Sequence, residues 1–157
     1  DLVRSRGLGD VYKRQVIDVA DHIKQIWSSS AFMNLLKIEI DEIHCGGATV
    51  KMPIDFDIHT NHWLGVHGGA LAALADAVMG ITGASVGEVV QTLSFNINFI
   101  SNLPGTGMAI VKSQVKHHGQ TTMVIMAEMT DEQNNLLAAI TTTMFIAGHF
   151  NEIPREW

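Results

Sequence analysis

The stretch from Asn61 to Asp76 constrains the fold of this chain more than any other part of its sequence. It begins as a polar loop and continues as a run of small and aliphatic residues that starts at Gly68 and Gly69. The backbone N–H groups in the first turn of a helix lack partners within the helix, and the helix dipole adds partial positive charge there. Because glycine has no side chain, another group can come close to those N–H groups. The sequence therefore predicts a helix whose beginning is a site for an anion, or for an oxygen that becomes one.

Asp76 is the one ionisable residue between Gly69 and Ile81. A stripe of apolar residues follows helical spacing through this stretch: Leu71, Leu74, Ala75 and Val78. The opposite side of the helix is also nearly apolar, and a helix that is apolar all round is usually buried. A buried carboxylate is costly unless it is hydrogen-bonded or its pKa rises. Asp76 is therefore a candidate catalytic group; an Asp on a modestly exposed helix face, or one that caps a neighbouring loop, is the structural alternative.

Composition and charge argue against several classes of protein. Hydrophobic residues make up 46% of the 157 residues, which suits one domain with its own core. No apolar run approaches the roughly 20 residues that a membrane span requires. The net charge of −6 argues against general nucleic-acid binding. Cys45 is the single cysteine, so no internal disulfide can form, and we expect a reducing, cytoplasmic location.

The ends of the chain differ in pattern from its middle. Residues 1–15 contain glycines and scattered charges without a clear period, and they lack the apolar segment of a secretory signal peptide. We interpret them as read-through from a cloning or sequencing adapter and leave them out of the fold prediction. Residues 16–150 are expected to form a single domain. Residues 151–157, with Pro154, are expected to be a tail that is an edge or a frayed end.

Hydrophobic periodicity predicts the order of elements in the middle of the chain. A short amphipathic helix is expected at 16–28, and a buried helix from Gly68 to the turn at 84–87. Alternating or β-branched runs predict six strands, at 36–43, 48–54, 89–100, 108–116, 121–130 and 136–147. One long apolar helix against an antiparallel sheet gives an α+β domain of two layers.

A combined motif links the loop to the helix, with the pattern Asn–x3–Gly–x–His–Gly–Gly–x6–Asp. Its residues are Asn61, Gly65, His67, Gly68, Gly69 and Asp76. The motif resembles that of the hotdog-fold acyl-CoA thioesterases, in the PaaI-like branch of the 4-hydroxybenzoyl-CoA thioesterase superfamily. Thr92, in the strand after the helix, also resembles that family, and the resemblance covers residues 35–147.

The resemblance implies a hotdog fold, in which an antiparallel sheet wraps around one long central helix. It also implies a homodimer joined edge to edge, often as a dimer of dimers, and hydrolysis of an acyl thioester. No cofactor is expected, and neither nucleic acid nor a membrane is expected as a partner.

Each family role falls on a particular residue of the motif. The resemblance implies that the Gly68 N–H donates to the thioester carbonyl oxygen and that Asp76 acts as nucleophile or general base. Asn61 and His67 would position the thioester or the attacking water. Thr92 would supply a hydroxyl near Asp76, and Ser94 is a possible replacement for it.

Further residues are candidates for binding the substrate. Gly69 allows a close approach to the beginning of the helix, and Trp63 either covers the mouth of the site or packs against the protein. Relatives often carry Arg or Lys where CoA phosphates bind. The corresponding turns of this chain, residues 101–104 and 118–120, contain neither Arg nor Lys, and His118 is the one residue in them that can carry a positive charge. Substitutes are available nearby: Lys112, Lys116, His117 and His118. The substrate is therefore left open between an acyl-CoA and an acyl-carrier thioester.

Helix geometry adds an independent expectation about assembly. Gly68 and Asp76 are eight positions apart, which separates them by about 12 Å along a straight helix. A base and an oxyanion donor must each reach within about 3 Å of the reacting group. One subunit can hardly bring both to one carbonyl, whereas two antiparallel copies of the helix can. We therefore expect a two-fold dimer with two shared sites.

The sequence also allows two other chemical interpretations, a metal site and a thiol nucleophile. Several side chains near the motif are metal-ligand types, but their spacing matches no common zinc pattern and no metal is expected: His59, His62, His67, Asp55 and Asp57. A thiol nucleophile formed by Cys45 with His44 is the second reading, but a lone cysteine is usually a small buried residue.

Two non-hydrolytic functions also stay open. The first is a non-catalytic hotdog protein that binds acyl thioesters or serves as an assembly subunit. The second, a hotdog hydratase or dehydratase, is weaker, because its usual His and acidic residue are spaced differently from His67 and Asp76.

Overall fold

The computed structural model describes residues 18–157, so the expected adapter segment 1–15 lies outside the described residues. The helices are α1 (Val19–Trp27), α2 (Ala31–Leu36), α3 (Phe56–His59) and α4 (Gly68–Ala84). The strands are β1 (Glu39–His44), β2 (Gly47–Pro53), β3 (Glu88–Phe99), β4 (Met108–His118), β5 (Thr122–Thr130) and β6 (Leu136–His149). No helix within residues 18–157 has both the length and the hydropathy to cross a membrane.

The six strands form one antiparallel sheet in the order β1-β2-β4-β5-β6-β3, and the long helix α4 packs on one face of it. The prediction of an antiparallel sheet around a single long central helix is confirmed. β3 lies at one edge of the sheet and hydrogen-bonds only to β6 among the described strands. This edge matters for the site, because β3 also runs alongside α4.

Alternation along the strands separates an inner face, toward α4, from an outer face. The inner face carries buried apolar residues such as Val111, Ile125 and Ile140. The Thr142 hydroxyl lies 3.4 Å from the Met79 sulfur of α4, which marks the inner face of β6. Because side chains alternate, neighbouring positions such as Thr141 and Thr143 face outward.

Helix α2 corrects the sequence prediction, which places the start of a strand at Leu36 and no helix at 31–36. Ser30 caps this helix by accepting a hydrogen bond from the Met33 N–H, and Lys37 ends it in the left-handed conformation with φ 59°. The helix has six residues, too few for hydrophobic periodicity to distinguish it from a strand. Its position against α4 bears on the site described below.

The C-terminal tail is packed rather than frayed. Ile153 is buried, and the Trp157 indole N–H donates to the Ser85 carbonyl at 2.7 Å, close to the end of α4. A side chain at Gly87 would clash with the Ile153 carbonyl oxygen, at 2.7 Å, and Gly87 also has a positive φ of 80°. The tail therefore fixes the junction between α4 and β3.

Glu88, the first residue of β3, is a buried carboxylate that joins the tail to two strands. Its side chain is 1% exposed and accepts hydrogen bonds from His118 Nε2 at 2.7 Å, from Arg155 Nη2 at 3.2 Å and from His149 Nδ1. No sequence pattern predicts this cluster, because its members are distant from one another along the chain.

Replacing Glu88 by alanine is expected to lower the free energy of unfolding by about 2 kcal/mol, because hydrogen bonds to charged groups contribute about 1.5–3 kcal/mol. Glu132→Ala, on an exposed turn, is the matched control and should change stability by less than about 0.5 kcal/mol. Denaturant titration of both variants measures the difference. Equal midpoints for the two variants would contradict the structural role of Glu88.

Candidate active site

The beginning of α4 presents a free backbone donor. His67 is the N-cap, and its Nδ1 atom accepts a hydrogen bond from the Gly69 N–H at 2.8 Å. The His67 carbonyl accepts from the Ala70 N–H at 3.0 Å. We find no hydrogen bond from the Gly68 N–H to any atom of residues 18–157. The His67 side chain thus pairs with the Gly69 N–H, one of the N–H groups in the first turn that have no partner within the helix. The Gly68 N–H stays available for a ligand.

Asn61 organises the loop that leads into α4. Its side-chain oxygen accepts hydrogen bonds from the N–H groups of Trp63, at 2.9 Å, and Gly65, at 3.3 Å. Its backbone N–H also donates to the Gly65 carbonyl at 2.8 Å. The side-chain oxygen is therefore engaged in holding the loop, and the amide nitrogen of Asn61 is the group with which it can meet a substrate.

His59 supports this loop through hydrogen bonds of its ring and its backbone. The sequence predicts no structural role for it. It is fully buried; its Nδ1 accepts from the Asp55 N–H at 2.9 Å, and its Nε2 lies 2.7 Å from the Leu36 carbonyl, to which it donates. Its backbone carbonyl accepts from the His67 N–H at 2.7 Å. Both ring nitrogens are therefore occupied, so His59 has no lone pair free for a metal in this arrangement.

Asp55 caps α3 in the same region by accepting from the Asp57 N–H. The hydrogen bond from the Lys37 ammonium, at 2.6 Å, lowers the pKa of the Asp55 carboxyl below its ordinary value, and the Asp57 N–H lowers it further. The carboxylate consequently stays ionised, and keeps its cap, to a lower pH than a free aspartate does.

A cavity of about 300 Å³ opens at the beginning of α4, and we call it the Gly68 cavity. It is lined by Asn61, Val66, Gly68, Leu71, Phe99, Ile100, Ser101 and Asn102. The end of β3 forms one wall, since a Cβ atom at Gly68 would lie 3.4 Å from the Phe99 ring. The free N–H and the Asn61 side chain thus border the same space.

Asp76 lies on the exposed face of α4, so the expectation that it is buried is wrong for a single protomer. The stripe from Leu71 to Val78 covers the sheet, whereas the face of Asp76 turns away from it. The Thr92 hydroxyl donates to the Asp76 carboxylate at 2.9 Å. Thr92 is therefore the hydroxyl partner of this carboxylate.

Ser94 lies on the other face of the sheet from Thr92. A β-bulge between them leaves Leu93 without a partner, so that Thr92 pairs with Met144 and Ser94 pairs with Thr143. Met144 is buried on the inner face, whereas Thr143 is on the outer face. Because paired residues share a face, Ser94 points away from Asp76 and cannot replace Thr92 there.

Asp76 and Thr92 border a second cavity of about 240 Å³, which we call the Asp76 cavity. It is lined by Trp27, Ser30, Phe32, Met33, Ala73, Asp76, Ala77, Gly80, Val90, Thr92 and Met144. Gly68 does not belong to this cavity, and Asp76 does not belong to the Gly68 cavity. One protomer therefore keeps the two groups in separate cavities, as the length of the helix between them requires.

The remaining candidate residues fall in three places. Trp63 is 79% exposed on the loop before α4, and its ring lies tilted by 44° beside that of His62 with ring centres 4.7 Å apart. His118 belongs to the Glu88 cluster, and His117 is exposed on the same strand. Glu88 lies four residues before Thr92, or roughly 13 Å along β3. Within one protomer His117 and His118 are therefore remote from Asp76, and Trp63, although it lies on the loop before α4, does not line the Gly68 cavity.

Known proteins are similar to this chain over a region that includes both cavities' principal residues, Gly68 and Asp76. The protein-family model of the Thioesterase superfamily matches residues 65–138, a range that contains Gly68, Asp76 and Thr92. A candidate esterase of Thermoplasma acidophilum is 26% identical over 128 residues, which are 80% of this chain and 96% of that protein.

Solved structures share the fold over most of the described chain. The E. coli PaaI protein from the phenylacetic acid degradation operon has a TM-score of 0.78 at 23% identity, covering 84% of this chain and 98% of that chain. A hypothetical thioesterase from Streptococcus pneumoniae, solved with coenzyme A, has a TM-score of 0.71 at 25% identity, covering 74% and 91%. These likenesses extend over the sheet and its central helix together.

Proposed function

We propose that this chain, a hotdog-fold protein of the thioesterase superfamily, hydrolyses an acyl thioester to a free acid and a thiol at sites shared between two subunits. Gly68 of one subunit donates its N–H to the thioester carbonyl oxygen. Asp76 of the other subunit acts as nucleophile or as general base. The observation that carries this proposal is the free Gly68 N–H in one cavity and the Thr92-bound Asp76 carboxylate in another.

The edge strand β3 supports the shared site. It is 12 residues long, and three large apolar side chains on or just after it are more than half exposed: Leu93, Phe99 and Ile100. A long edge strand with exposed apolar residues is a surface that proteins normally cover or pair. Pairing with β3 of a second copy covers this edge and joins two sheets into one.

A register centred on Asn96 is proposed for that pairing. A two-fold axis at Asn96 pairs Ser94 with the partner's Asn98. Because Leu93 is the extra residue of the bulge, Thr92 comes next in the register and lies opposite the partner's Phe99. Thr92 contacts Asp76, and Phe99 borders the Gly68 cavity. This register therefore brings the Asp76 of each subunit toward the Gly68 of the other.

The chemistry requires three steps in such a site. The Gly68 N–H, at the positive end of the helix dipole, polarises the carbonyl and holds the oxyanion of the tetrahedral intermediate. The Asp76 carboxylate either attacks the carbonyl carbon, giving a tetrahedral intermediate that becomes an anhydride once the thiolate has left and is then cleaved by water, or takes a proton from the water that attacks. The C–S bond then breaks, and the thiolate leaves with the electron pair.

The thiol carrier is proposed to be coenzyme A. The Streptococcus pneumoniae relative solved with coenzyme A supports this choice. Lys112 and Lys116, which are exposed on the outer face of the sheet, are proposed to bind the phosphates of coenzyme A. An acyl-carrier thioester is the alternative substrate, and a dimer of dimers is the proposed larger assembly.

Release of free thiol from butyryl-, octanoyl- and phenylacetyl-CoA, followed with a thiol reagent, tests the proposed function. We expect release from at least one member, and sedimentation should show a dimer or a multiple of it. Binding without release from every member, with acyl-carrier thioesters also intact, would instead favour a non-catalytic acyl-binding protein. An active monomer at the assay concentration would contradict the shared site.

A further inference from the structure

The Asp76 cavity ends at an indole ring. A Cβ atom at Gly80 would lie 3.4 Å from Trp27 Cζ2, and both residues line the cavity. Gly80 follows Asp76 by four positions, or about 6 Å along the axis of α4. Trp27 therefore closes the cavity about one helical turn beyond the carboxylate.

The wall of the cavity is supported from behind. Trp27 is the last residue of α1, and its ring packs against Phe150 with centroids 6.3 Å apart. Met33 of α2 is buried beside it. These contacts restrict the rotation of the indole, which is half-buried and bounds the cavity.

A third cavity, of about 200 Å³, lies on the side of Trp27 away from the Asp76 cavity. It is lined by Lys24, Trp27, Ser28, Met33, Asn34, Ile38 and Ile40. Trp27 and Met33 are the residues common to both cavities. Removing the indole therefore joins two spaces that the wild-type chain keeps apart.

We propose that Trp27 determines the acyl-chain specificity of this protein, by ending the pocket that receives the acyl group beyond Asp76. This inference rests on the proposed thioester hydrolysis. Apart from Ser30 and the Asp76–Thr92 pair, the lining of the pocket is apolar, as an acyl group requires. The Asp76 cavity, of about 240 Å³, has room for a compact acyl group, and longer chains meet the indole.

The test is a chain-length profile of kcat/KM, from butyryl-CoA to dodecanoyl-CoA, for the wild-type dimer and for variants. Trp27→Ala is expected to raise the ratio of kcat/KM for decanoyl- or dodecanoyl-CoA to that for butyryl-CoA by about tenfold or more. Gly80→Ala places a methyl group against the indole and is expected to depress the octanoyl value relative to the butyryl value.

Two comparisons make the outcome decisive. Leu35→Ala removes an exposed side chain of α2 that lines neither cavity, and its profile should match the wild type. If Trp27→Ala fails to fold, the profile of Gly80→Ala tests the proposal instead, because alanine is favoured over glycine within a helix.

Hydrolysis by the wild type, with Trp27→Ala and Gly80→Ala profiles that match it, would overturn the role of Trp27 alone. Failure of the wild type to hydrolyse any thioester would overturn the proposed function itself.

Discussion

Gly68→Pro is expected to lower kcat/KM for thioester hydrolysis by about 100-fold or more, because it deletes the N–H that holds the oxyanion. Proline is tolerated at the first position of a helix, and Gly68 occupies that position in α4. The preceding residue, His67, is extended with φ −68° and ψ 131°, the conformation that proline requires before it. No internal hydrogen bond of residues 18–157 is lost, since the Gly68 N–H makes none with them.

Gly68→Ala is the matched control, because it keeps the N–H and adds one methyl group. That methyl would lie 3.4 Å from the Phe99 ring, which is an ordinary contact. Steady-state kinetics with a fixed acyl-CoA, together with thermal unfolding, separate the two variants. Similar rates for the proline and alanine variants would show that the Gly68 donor does not take part in the reaction.

Asp76→Asn is expected to lower kcat by about 1000-fold, because the amide neither attacks a carbonyl efficiently nor accepts a proton from water. Stability should change little, since Asp76 lies on an exposed helix face. The Thr92 hydroxyl can still donate to the amide oxygen, so the local geometry is retained. Near-wild-type turnover of the folded variant would rule out the assigned role.

Mixing the two inactive variants tests whether the site is shared. Subunits of Gly68→Pro and Asp76→Asn that refold together give a mixed dimer in which one site carries both changes and the other carries neither. Random pairing should therefore restore about a quarter of wild-type activity. A site built within one subunit would restore nothing, because each subunit of the mixed dimer would keep its own defect.

The sequence was sufficient to predict the sheet and the central helix, because long runs with a clear period specify both. It also predicted the free donor at Gly68 and the approach of Thr92 to Asp76, the latter through resemblance. It did not predict the exposure of Asp76, because the composition of α4 is apolar all round although only one face packs on the sheet. Which face is covered depends on tertiary packing, and periodicity carries no signal for it.

Other features of the site depend on residues that meet only in the folded chain. Trp27 lies about fifty residues before Gly80, and nothing in an amphipathic helix of nine residues indicates that its last side chain bounds a cavity. The prediction that Ser94 could replace Thr92 beside Asp76 is wrong for a related reason. The bulge at Leu93 changes the face on which each following residue lies, and the sequence contains no glycine or proline there to indicate it.

The bulge has a consequence for how this protein can vary. Side chains along β3 can be exchanged one at a time with local effects, but the number of residues between Thr92 and Phe99 cannot change freely. Losing or gaining one residue there would rotate the hydroxyl away from Asp76 and shift the two chains of a dimer past each other. Insertions and deletions in this segment should therefore abolish catalysis far more often than substitutions, even where the sheet still forms.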